Sequence, residues 1–130
     1  MHTLAFLAAF LFLTLHLPAQ DVDTYRWKNR LVLVFAPDVL HPDRISQHEL
    51  FQNHTAGLAD RDVKVLWLSP KTNAALYNCY GIGQEEFAVI LIGKDGGEKH
   101  RWGRPVSAEI VYGLIDSMPM RQAEVNRQKP

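Results

Sequence analysis

Asp38, His41 and Asp43 crowd one short loop, and His48 and Glu49 follow one to two helical turns later. Two carboxylates beside an imidazole could hold a divalent ion, a cationic group or a peptide backbone, and the imidazole would make such binding sensitive to pH near neutrality. The spacing matches no metal-binding motif, so neither a metal nor another cofactor is expected. The same residues have a purely structural use, because Asp and His side chains in such a loop tie down amides and cap the helix that follows. A second cluster, Lys94, Lys99, His100, Arg101 and Arg104 around Trp102, surrounds a glycine turn. Lys99, Arg101 and Arg104 form the secondary candidate surface, for phosphate or glycan; alternating charges on an outer strand are more often edge protection. Cys79 is the single cysteine. It excludes an intrachain disulfide framework, a four-cysteine zinc site and a dithiol pair within one chain.

Lys and Arg number 14 and Asp and Glu number 14 among 130 residues, which argues against nucleic acid as a partner and against an acidic chaperone-like tail. None of these charges lies in the first 20 positions. The apolar run Leu4 to Leu17 is too short for a membrane span and ends at Pro18-Ala19-Gln20 before Asp21. A secretory signal peptide over residues 1–19 is therefore expected, with a mature protein in the periplasm or medium and no membrane attachment after cleavage. A retained anchor is the alternative.

Residues 20–120 read as one domain. Leu31 to Ala36, Val63 to Leu68 and Phe87 to Ile92 are continuous apolar, β-branched runs that fit strands buried on both faces. From Asp43 to Asp60, Ile45, His48, Phe51, Thr55 and Leu58 recur at helical spacing behind Pro42. A short helix is predicted over Asn73 to Cys79, capped by Thr72 and Gly81, and its C-terminal end disfavours a thiolate at Cys79. That thiol is expected to be buried or partly buried and inert, an intermolecular disulfide being its other use. Lys94-Asp95-Gly96-Gly97 predicts a hairpin turn into a polar strand, Glu98 to Trp102. Ser107 caps a helix with the stripe Ile110, Val111, Leu114, Ile115 and Met118, stopped before Pro119. Residues 121–130 lack apolar anchors and are expected to fray as a flexible tail. Parallel pairing is expected across both helical crossovers and antiparallel pairing across the hairpin. The sum is a three-layer α/β sandwich with a mixed sheet of about four strands. Asn53-His54-Thr55 fits a glycosylation sequon but falls inside a predicted helix, and Gly81-Ile82-Gly83 lacks the third glycine of a nucleotide fingerprint.

The order, with a glycine turn between the last strands and a closing helix, resembles the thioredoxin fold. More narrowly, Tyr25 to Ala36, Val65 to Ser69, Tyr80 to Gly83 and Phe87 to Gly97 resemble a peroxiredoxin-related, thioredoxin-like family of unknown function sometimes called P-DUDES, found in bacterial exported and animal extracellular-matrix proteins. The resemblance implies chemistry at the junction of first strand and first helix, where a helix N-terminus lowers a thiol pKa. That junction reads Ala36-Pro37-Asp38-Val39-Leu40-His41-Pro42. A thioredoxin-like alignment puts Val39 and Pro42 at the two cysteine positions. A peroxiredoxin-like alignment puts Arg44 at the peroxidatic cysteine and His41 at its partner threonine, and Glu85-Glu86 stands where the fold's usual cis-proline would precede the third strand.

The expected function is an exported thioredoxin-like domain without a dithiol site, a binding module for an envelope or extracellular protein or glycan, with no dithiol reductase activity. The alternative is an antioxidant or peroxiredoxin-like enzyme that uses Cys79 or another site. Fold alone does not choose between them.

Overall fold

The computed structural model describes residues 22–130, so the expected signal peptide lies outside the described residues. A 3-10 turn, Val22–Tyr25, leads into β1 (Arg30–Phe35), followed by α1 (Pro42–Phe51), α2 (Thr55–Asp60), β2 (Val63–Leu68), α3 (Ala74–Tyr80), β3 (Ala88–Ile92), β4 (Glu98–Trp102), α4 (Ala108–Asp116) and α5 (Pro119–Gln128). The sheet runs β2-β1-β3-β4. Every residue of β1 is buried, Leu31 to Phe35 as an unbroken apolar run requires of a central strand and Arg30 as a charged residue at its start. Val32, Val34 and Ala36 join Phe51, Leu58, Val111 and Ile115 in one core layer. Leu31, Leu33 and Phe35 join Tyr77 and Ile82 in the other, which makes the three-layer mixed-sheet sandwich.

The pairing corrects one expectation. β2 is parallel to β1, but β3 is antiparallel to β1, with Phe35 opposite Ala88 and Leu31 opposite Ile92. A parallel return needs a connection that covers a strand length of about 20 Å. α1 and α2 together cover it; the seven residues of α3 reach only about 10 Å. Gly81, at φ +68°, then turns the chain back, and β3 starts at the end where β2 stopped.

The helix expected over 43–60 is two helices, and its stripe is shifted. α1 buries Gln47 and Phe51, while Ile45 is 44% exposed and His48 faces solvent. The break at His54 brings Gly57 under Tyr112, where any Cβ would collide with the phenol, and the Tyr112 hydroxyl donates to the His54 carbonyl (3.2 Å). Asn73, not Thr72, occupies the N-cap of α3, and its side-chain oxygen accepts from the Ser69 amide (3.1 Å). Cys79 is exposed, contrary to the expected burial.

Residues 121–130 are not a frayed tail in this structure, because most of them belong to α5. Charge, not apolar area, anchors that helix. Arg121 is 5% exposed and donates to the Asp60 carboxylate (2.7 Å) and carbonyl (3.0 Å). Glu124 receives both Arg30 guanidinium nitrogens at 3.2 Å and the Lys94 ammonium at 2.6 Å, and Lys94 also holds Asp62 at 2.8 Å.

Candidate functional site

The C-terminal ends of β1 and β2 are where an open α/β sheet offers its crevice. Tyr77 of α3 ties them together. Its hydroxyl donates to the Ala36 carbonyl (2.8 Å) and lies 3.2 Å from the Leu68 carbonyl, while accepting from the Ala36 amide (3.1 Å). Burial pushes the Tyr77 phenol above its ordinary pKa, against the backbone hydrogen bond to Ala36, so it remains a neutral donor.

Beyond Ala36 the loop is stiffened by its own side chains. Asp38 Oδ1 accepts from the Leu40 amide (2.9 Å), and the His41 amide donates to the Asp38 carbonyl (3.3 Å). His41 is the N-cap of α1: its Nδ1 accepts from the Asp43 amide (3.3 Å), and its ring lies parallel to Phe87 at 6.1 Å. Arg44 reaches back toward the Val39 carbonyl (3.5 Å) and lies 5.0 Å over the Trp67 ring. Asp38 and His41 are thus brought together as loop and cap groups, with Asp43 joined through its amide. Among the described residues no three His, Cys, Asp or Glu side chains converge on a possible metal position.

What the loop presents outward is apolar. Val39 is 65% exposed and Leu40 80%. Beside them lies a groove of about 400 Å³ with Pro37 and Pro70 in its wall, two residues past the paired ends Phe35 and Leu68 of adjacent parallel strands. Asp38, Lys71 and Glu85 supply its charge. Val39 and Pro42, the positions that align with thioredoxin thiols, carry no reactive group, and no peptide bond among the described residues is cis.

The other predicted residues lie elsewhere. Lys99 is paired with Asp95 (2.8 Å), and Arg101 with Glu98 (2.8 Å) and the Tyr80 carbonyl (3.0 Å), so the β4 hairpin is no uncompensated cationic patch. Lys99 and Asp95 hold each other tightly enough to keep the Asp95 carboxyl below its ordinary range. Arg104 lies exposed beyond β4. Cys79 sits at the penultimate position of α3 and does not line the groove. Sequence reasoning missed Tyr77 and Gln47, whose hydrogen bonds position the loop and α1; a tyrosine and a glutamine on short amphipathic helices carry no signal of such reach.

A family described as Domain of unknown function (DUF4174) matches residues 21–124. The chain belongs to that family. Coiled-coil domain-containing protein 80 of Danio rerio is 42% identical to this DUF4174 chain over 53 residues, 40% of the chain and 6% of the zebrafish protein's length. Thioredoxin peroxidase I of Plasmodium yoelii superposes with a TM-score of 0.58 at 16% identity, over 84% of this chain and 86% of that one. The reduced 2-Cys peroxiredoxin of Plasmodium vivax does so with a TM-score of 0.55 at 16% identity, over 80% and 84%. At such identities the likeness is one of fold alone: a thioredoxin-like sandwich of the peroxiredoxin shape, here with a single, exposed cysteine.

Proposed function

We propose that this DUF4174 domain is exported and acts as a non-catalytic binding module, with the loop 38–44 and the adjoining groove as its recognition edge. The observation that carries the reading is the exposure of Val39 and Leu40 on a loop held rigid by Asp38 and His41, at the pole where related folds place their thiols. Rigid exposed apolar groups lose little entropy on binding. With two prolines in the wall and two carboxylates against one lysine, the groove suits a polypeptide segment with apolar and basic side chains better than a bare anion. The partner class is an envelope or extracellular protein. Export rests on the charge-free run before Asp21 and on the likeness to P-DUDES-type domains of exported and matrix proteins.

Two measurements check this reading. Mass spectrometry of the protein from its native host is expected to find an N-terminus at Gln20 or Asp21 in the periplasm or medium; Met1 retained on a cytoplasmic protein would contradict export. Immobilised protein is expected to retain a defined set of envelope or matrix proteins. Retention should fall at least about tenfold in a Val39→Asp/Leu40→Asp variant, since two central apolar contacts become charged. An unchanged set would remove the loop from the account.

The exposure of Cys79 favours a second reading, a peroxiredoxin-like redox activity that uses this thiol. It is weakened by the position of Cys79 near the end of α3, outside the groove at the strand-helix junction.

A further inference from the structure

The two edges of the sheet are built differently. β4, at one edge, carries Glu98, Lys99, His100 and Arg101, and its pairing with β3 slips between Leu91 and Ile92. Charge and irregularity of this kind keep an edge from pairing further. β2, at the other, has the sequence Val63-Lys64-Val65-Leu66-Trp67-Leu68, no proline, and unbroken register with β1 along its length. Only Lys64 guards it. Its outer row of amides and carbonyls has no neighbouring strand among the described residues.

That open edge adjoins a second groove, of about 350 Å³, between β2 and the pair α1 and α2. Phe51, Leu58, Val65 and Trp67 give it an apolar floor, with Val65 and Trp67 only half-buried. A strand added to β2 would lie about 4.8 Å outside it and point alternate side chains toward this groove. The charged groups beside it are cationic: Lys64 is among its lining residues and Arg44 lies over Trp67, while no carboxylate lines it.

We propose that the outer edge of β2 receives an extended segment of a partner polypeptide as an added strand, with apolar side chains entering the α1–α2 groove and carboxylates at the alternate positions meeting Lys64 on the opposite face of the sheet. A second copy of this chain is a poor occupant, because joining two β2 edges would bring two Lys64-bearing edges together with no carboxylate among the groove-lining residues to offset them. This surface is separate from the groove at Pro37 and Pro70, so neither stands on the other.

The test uses the full chain and three synthetic octapeptides: one alternating valine with glutamate, one alternating valine with lysine, and the glutamate peptide N-methylated at every second residue. The glutamate peptide is expected to bind at least about tenfold more tightly than the lysine peptide and to slow hydrogen exchange of alternate amides between residues 63 and 68. N-methylation should abolish binding, and Lys64→Glu should reverse the charge preference. Sedimentation should find a monomer. The proposal is overturned by no binding at about 1 mM peptide, by equal binding of the two charge types, by binding that survives N-methylation, by protection confined to another element, or by a dimer that protects the β2 amides without peptide.

Discussion

Glu124→Gln is expected to lower the unfolding free energy by about 3–5 kcal/mol, the usual cost of leaving a buried charge, here Arg30, without its counter-ion. Arg30 is 1% exposed and the Lys94 side chain 10%, and both lose the carboxylate they share. The Arg121 guanidinium, 3.7 Å from the same carboxylate, loses a neighbour as well. α5 has little apolar surface to compensate. Burial alone would raise the Glu124 carboxyl, but hydrogen bonds from Lys94 and Arg30 outweigh it and hold the group below its ordinary pKa. Asp116 is likewise held down, chiefly by Arg61 at 2.9 Å. Carboxyls with depressed folded values contribute stability that is full above about pH 5 and is lost as pH falls through and below the ordinary carboxylate range near 4. Urea unfolding across pH should therefore show the native protein weakening on acidification, with a shallower fall in Glu124→Gln. Equal stability of the two proteins at neutral pH would mean that α5 is not held by this network.

Gln47→Ala should cost about 2–6 kcal/mol, because it strands two backbone groups at once. The Gln47 amide, fully buried on α1, donates to the Val106 carbonyl and accepts from the Val106 amide, both at 2.8 Å. Val106 is 3% exposed, so neither group turns to water without structural change. Gln47→Leu refills most of the volume and leaves both backbone groups unpaired. It should recover only the cavity part of the loss. Urea titration of the two variants separates these contributions; a Leu variant within about 0.5 kcal/mol of the native protein would show that Val106 finds other partners.

The same two residues mark the boundary of what the sequence makes legible. The buried strands are readable because Leu31 to Ala36 and Phe87 to Ile92 are short, β-branched and apolar without interruption, as strands of a doubly covered sheet are. Anchoring by polar groups leaves no such periodicity. Gln47 lies between the exposed Ile45 and His48, so the apolar stripe pointed to the wrong face of α1. α5 looked unanchored because Arg121 and Glu124 find their partners 61 and 94 residues away, in Asp60 and Arg30. The direction of β3 is hidden from the sequence for a related reason: it depends on how far α3 and the loop after Gly81 travel, a property of length and turn geometry. At the proposed recognition edge, the absence of a thiol at Val39 and Pro42 is evident from residue identity. The use of Asp38 and His41 as loop and cap groups appeared only once their amide partners were in place.

Under the proposed binding role this thioredoxin-like domain needs no thiol chemistry. The decisive measurement is peroxide consumption and insulin reduction by the native protein and Cys79→Ser side by side. Neither protein should show turnover above the protein-free control, and their traces should superimpose. A rate present in the native protein and abolished by Cys79→Ser would contradict the account and establish the exposed thiol as the reacting group.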